Sequence, residues 1–261
     1  MNHNLAEFFR RASFYRYHEN FDEFERLYKI RLENGFSASR ARLTSNPKES
    51  LKLFHRTLES SDNNIIYWRD KPRLLQWIKK DPDSLIQNLD ILWNNQLDIT
   101  LRFSSFGRAL AEIGIRQPGG QLAVISTLLM AFSANEYPPV KTEPFITATR
   151  LAGWDGFKYK LTPVQRYQQA LAFMDMLLDS AADYEVELRD RLDAQGVIWC
   201  IYGGWPKIPV PDSWVNDPEK RLRQLQLTYA SELAELEAEP NADQLSGTEK
   251  LTLVQNEERS G

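Results

Sequence analysis

Apolar residues recur at the three-and-four spacing of an amphipathic helix through most of the chain. Phe21, Phe24, Leu27 and Tyr28 mark one such stretch, and Asn34-Gly35 reads as its stop. Leu51, Phe54 and Leu58 mark a second, and Leu85, Ile86, Leu89, Leu92 and Trp93 a third. Leu171, Met174, Leu177 and Leu178 form a fourth, and Leu222, Leu225, Leu233 and Leu236 a fifth. Each of these last four follows a capping residue and a proline, at Asn46-Pro47, Asp81-Pro82, Thr162-Pro163 and Asp217-Pro218. The side-chain oxygen accepts from an orphan amide of the first turn, and proline has no N–H to leave unpaired there. A further helix is predicted through Tyr184, Leu188 and Leu192, continuing into Val197-Ile198-Trp199.

Strand signals are poor, because neither Asn34-Gly35 nor Asp155-Gly156 lies between two alternating runs. Gln117-Pro118-Gly119-Gly120 reads as a loop. Tyr137-Pro138-Pro139-Val140 reads as extended, since a residue before proline avoids the helical region. Gly203-Gly204-Trp205-Pro206 to Val210-Pro211 is a further irregular stretch. From about Glu239 the chain turns polar and is punctuated by proline and glycine. The expectation is an all-α or nearly all-α, multi-helix globular region over residues 1–238, with extended proline-containing loops and a flexible tail or linker at 239–261.

Composition adds a core and a compartment. Of 261 residues, 42% are hydrophobic and 11% aromatic, enough for a sizeable interior. The longest apolar run, Leu122 to Phe132, is broken by Ser126 and Thr127 and falls short of the roughly 18 residues of a membrane span. No basic region followed by an apolar stretch opens the chain, and the single cysteine forms no internal disulfide, so a cytoplasmic location is expected. Charge divides the chain further. Residues 1–80 hold 16 Lys/Arg against 10 Asp/Glu, residues 81–215 hold 11 against 16, and residues 216–261 hold 5 against 10. This suggests a basic N-terminal subdomain, 1–80, beside a core, 81–215. The basic third either attracts an anionic partner or complements the acidic remainder of the same molecule.

Catalytic signatures fail one by one. Gly119-Gly120 is followed by Gln121 and Leu122 rather than the Lys-Ser/Thr of a phosphate loop, and neither G-x-G-x-x-G nor G-x-S-x-G occurs. His18 and Asp22 lie four apart, but two ligands do not close a metal site. Cys200, between Trp199 and Ile201, reads as a buried structural thiol. Asp190 and Asp193 stand beside Arg189 and Arg191, so ion pairing is their ordinary reading. No catalytic residue, metal or cofactor is expected. One stretch mixes rings with cations: Arg10, Arg11, Tyr15, Arg16, Tyr17, Lys29 and Arg31. Such a set can stack on unpaired bases and neutralise phosphates. It can equally be an amphipathic helix pair with solvated arginines, a reading favoured by the diluting Glu7, Glu19, Asp22, Glu23 and Glu25.

Three stretches belong together: Tyr137-Pro138-Pro139-Val140-Lys141-Thr142-Glu143-Pro144-Phe145, then Gln165-Arg166-Tyr167 with Phe173-Met174-Asp175, then Leu188 through Trp199. Over about residues 120–205 the chain resembles a helical N-terminal region found ahead of the motor in McrB-type AAA+ proteins of modification-dependent restriction. The resemblance implies a non-catalytic recognition module of a prokaryotic defence system, binding nucleic acid; the alternative is a protein–protein scaffold docking a separate AAA+ ATPase or nuclease. The family's GTPase motifs are absent, so no nucleotide hydrolysis is expected. At the centre of the resemblance, Tyr137, Arg166, Tyr167, Arg191, Asp193, Gln195 and Trp199 are expected to cluster and mainly to serve the fold. Arg166 and Arg191 would donate to carbonyls of the Tyr-Pro-Pro segment, with Asp193 balancing Arg191 or Arg189. The functional alternative is a polar pocket gripping a flipped base on Tyr137 or Trp199.

Overall fold

The computed structural model describes residues 3–203 and Trp214. The chain divides into two units, residues 1–203 and 204–261. The first is all-α, with no strand among the described residues. Its helices are α1 (His3–Arg16), α2 (Tyr28–Arg40), α3 (Pro47–Glu59), α4 (Lys71–Lys80), α5 (Pro82–Leu92), α6 (Ile99–Glu112), α7 (Pro118–Leu129), α8 (Thr142–Ala152), α9 (Pro163–Ala181) and α10 (Arg191–Gly203). A π-helical segment, Asp22–Leu27, runs directly into α2. No described helix is long and apolar enough to cross a membrane. The fourth predicted helix start (Asp217-Pro218), the 238/239 boundary and the 239–261 tail lie outside the described residues.

Three predicted helix starts form as local chemistry requires. Asn46 accepts from the Glu49 amide at 3.2 Å, and Asp81 from the Ser84 amide at 3.1 Å. Thr162 and Gln165 form a reciprocal capping box, each side chain bonding the other's backbone. Asp190 caps α10 in the same manner, accepting from the amides of Leu192 and Asp193 at 3.0 and 3.1 Å.

Three expectations fail, each for a tertiary reason. Asn34-Gly35 does not end its helix, because α2 continues to Arg40. Gly35 is instead where α3 crosses: a Cβ there would overlap the Thr57 side chain. The same crossing is tied by Ser39 and Ser50, whose hydroxyls donate to each other's carbonyls at 2.9 and 2.8 Å. Gly35→Ala is therefore expected to destabilise the fold by about 1–3 kcal/mol through overpacking, read as a lower urea midpoint. Gln117-Pro118-Gly119-Gly120 is not a loop, since Pro118 opens α7 and both glycines lie in its first turn. A Cβ on Gly120 would stand 2.9 Å from an Asp70 carboxylate oxygen, so close approach sets that position too. Finally, Tyr184, Leu188 and Leu192 share no helix. A 3₁₀ turn, Ala182–Tyr184, follows α9, Glu185 takes a left-handed φ of 58°, and α10 begins only at Arg191.

α7 is the buried centre, packed against α6 and α9. Every residue from Leu122 to Leu129 is buried, and the two hydroxyls among them bond within the helix, Ser126 to Leu122 O at 2.7 Å and Thr127 to Ala123 O at 2.6 Å. Ser126 also accepts from the Val140 amide at 2.9 Å, which fixes the extended Tyr-Pro-Pro segment against the core. α1 packs on α8 and α10, so helices of the basic third rest directly on later ones.

Candidate functional site

The ring-and-cation set near the N-terminus is largely engaged by the rest of the fold, with Arg10, Tyr17 and Arg31 still exposed. Arg10 and Arg11 both pair with Glu7, at 2.7 and 2.8 Å. Arg16 reaches Asp193 at 3.2 Å and lies over the Phe21 ring. Lys29, only 1% exposed, pairs with Glu25 on the next turn. Arg31 is held by Asp62 at 2.8 Å. Tyr15 is buried, and the Tyr17 hydroxyl donates to Glu185 O and accepts from the Glu187 amide. Tyr15 and Lys29 are therefore buried away from any nucleic acid, contrary to the expectation for them, and Arg16 is mostly covered. The acids that seemed only to dilute the field, Glu7 and Glu25, are direct partners. His18 and Asp22 do not converge on a ligand either: His18 Nδ1 accepts from the Asn20 amide, and Asp22 pairs with Arg189.

Of the seven residues at the centre of the resemblance, Tyr137, Tyr167 and Arg191 lie close enough to act on one another's charge, and Gln195 and Trp199 line one small hollow. Among these described residues, no hydrogen bond or ion pair joins any two. Arg191 grips Asp175 with two bonds of 2.6 and 2.7 Å and donates to Glu136 O at 2.9 Å, serving the carbonyl just ahead of Tyr137. Arg166 does not reach that segment; it donates to Thr142 Oγ1 at 3.2 Å and to Tyr159 O. Asp193 balances Arg189, Arg26 and Arg16, not Arg191. Tyr167 is fully buried against Phe103, and that burial pushes its phenol well above the usual range. Tyr137 lies against Phe132 rather than facing a pocket with Trp199. Gln195 and Trp199 face Lys141, whose ammonium sits 4.9 Å from the Trp199 ring and 4.9 Å from that of Tyr67. Burial pushes the Lys141 ammonium down to about 8.

Sequence reading missed an arginine-lined cleft. A cleft of about 630 Å³ opens between the turn ahead of α4, the approach to α7, and the first turns of α7, α8 and α9. Four arginines line it, Arg69, Arg73, Arg116 and Arg166, with two tyrosines, Tyr67 and Tyr159. Its two acids are already engaged. Asp70 pairs with Arg73 at 2.9 Å and lies against Gly120, and Glu143 accepts from the Tyr159 hydroxyl at 2.7 Å. Arg69 and Arg116 are exposed and have no ion pair among the described residues. Arg166 is buried at the edge of the cleft with its Nε facing no acceptor. Trp68, 80% exposed, stands in the same turn as Tyr67 and Arg69.

The arrangement suits an oxyanion carried on a flat, apolar body. Planar guanidinium forks bind carboxylate or phosphate oxygens, and rings accept flat surfaces and cations. The described lining residues include neither histidine nor cysteine, so no nucleophile–base pair of those types is assembled there. The one sequence signal was the run Tyr67-Trp68-Arg69 with Arg73 four residues on; Arg116 and Arg166 come from distant parts of the chain. The McrB-type resemblance rests on its three stretches alone, since the chain matches no family model, no curated protein and no solved structure.

Proposed function

We propose that this chain is a non-catalytic recognition module that binds nucleic acid through its phosphates, using Arg69, Arg73, Arg116 and Arg166 rather than the N-terminal cations. The observation that carries this reading is the excess of arginines over carboxylates in one cleft, with both carboxylates engaged and two guanidiniums without an ion pair among the described residues. The field there favours a polyanion even though the whole chain carries −4. The resemblance adds a setting, a cytoplasmic prokaryotic defence system in which the module works beside an AAA+ motor or a nuclease.

Fluorescence anisotropy with labelled DNA and RNA oligonucleotides at low salt tests the proposal. Arg69→Ala with Arg116→Ala is expected to weaken binding about tenfold or more and to reduce the salt slope by about 1 to 2. Arg10→Ala with Arg31→Ala is expected to leave affinity nearly unchanged, because both side chains are engaged by Glu7 and Asp62. Binding that ignores the cleft double variant would remove the site from this cleft. No binding to any nucleic acid would overturn the reading in favour of a docking platform for a partner protein.

A further inference from the structure

We infer that the ligand of this cleft is a single strand, held with one unpaired base on Trp68 and its backbone continuing along α4. The inference rests on the nucleic-acid reading above and narrows it.

Three observations converge. The first is volume: about 630 Å³ is the size of a small-molecule pocket and admits a nucleotide or two, whereas a base-paired duplex is too broad to enter. The second is Trp68. An indole left 80% in water, in the same turn as an exposed arginine, is a stacking platform with no ring partner among the described residues. Paired bases keep their faces inside the duplex stack and cannot occupy it; an unpaired base can. The third is the surface leading away from the cleft. Arg73, Gln76 and Lys80 are spaced i, i+3, i+7 along one face of α4, covering about 10 Å of the helix axis. All three line a second depression that shares Arg73 with the cleft, and Arg73, Gln76 and Lys79 line a third. The second depression also holds Asp81 and Glu112, of which Asp81 is engaged as the cap of α5. A lone mononucleotide would have no use for this track. A short strand can set one phosphate among the cleft arginines and the next ones along Arg73, Lys79 and Lys80. The site size is then about four nucleotides, the low end for single-strand binders.

The test compares oligothymidylates of two to ten nucleotides with a hairpin duplex of equal charge, on the full chain at low salt. Expected are affinity that levels off near four to six nucleotides and at least tenfold preference for the single strand. Trp68→Ala is expected to remove most of that preference and Trp68→Phe to keep it; the side chain is exposed, so both variants should melt like the parent. Inorganic polyphosphate should compete poorly. Equal binding of duplex and single strand, indifference to Trp68→Ala, or competition by polyphosphate as strong as by oligothymidylate would each overturn the single-strand inference while leaving the nucleic-acid reading intact. Binding of neither nucleic acid would overturn both.

Discussion

Replacing Asp193 by alanine is expected to lower the unfolding free energy by about 3–5 kcal/mol, read from urea denaturation at neutral pH. The carboxylate is fully buried and is met by Arg189 at 2.7 Å, Arg26 at 2.8 Å and Arg16 at 3.2 Å, with a further bond from the Arg189 amide at 3.1 Å. These arginines come from α1, from the π-helical segment and from the stretch ahead of α10, so one side chain joins three parts of the chain. Removing it leaves several cations facing one another in a poorly solvated place. Burial by itself would push the Asp193 carboxyl up; the Arg189 bonds and the charge of Arg16 outweigh it and hold it below the ordinary value. A carboxyl with a depressed folded value stabilises fully above its unfolded value of about 3.9. That contribution is lost as pH falls through the folded value. Melting temperature is therefore expected to drop on acidification below about pH 4 in the parent. Asp193→Asn should start lower and show a flatter acid limb; an unchanged acid limb would assign the acid sensitivity to other carboxylates.

Lys29→Met is expected to cost a similar amount, about 3–5 kcal/mol, for the opposite charge. Lys29 and Glu25 are 1% and 4% exposed and lie 3.3 Å apart on successive turns. Burial depresses the ammonium while the nearby Glu25 carboxylate supports its charge. Truncating Lys29 removes a counter-charge from the buried Glu25 carboxylate. The double variant Glu25→Gln with Lys29→Met removes both charges at nearly constant volume and is expected to recover most of the loss. Additive losses in the double variant would show that the two residues stabilise the fold independently of each other.

These two positions show where sequence reasoning runs out. Caps at Asn46, Asp81 and Thr162 were legible because donor and acceptor lie within three residues of each other. The all-α character was legible because helical periodicity recurs through most of the chain. Gly35 and Gly120 were misread because proline and glycine punctuate a chain locally, whereas both glycines answer to side chains from other elements, Thr57 and Asp70. The N-terminal cations were visible, but the partner of Arg16 and Arg26 is Asp193, far along the chain, and nothing in the first residues points to it. The arginine cleft was dispersed for the same reason. Its four guanidiniums come from three segments, around Arg69 and Arg73, at Arg116 and at Arg166, and only folding sets them around one space.

Cys200 gives the molecule an internal clock. It is the one thiol in the chain, it is fully buried on α10, and burial raises its thiol well above the ordinary value. An alkylating reagent in the solvent meets no thiolate until α10 loosens from its neighbours. The labelling rate at low reagent then measures how often that helix is uncovered, and its dependence on urea separates local breathing from global unfolding. The helix that carries Asp193 thus reports its own opening without any added probe.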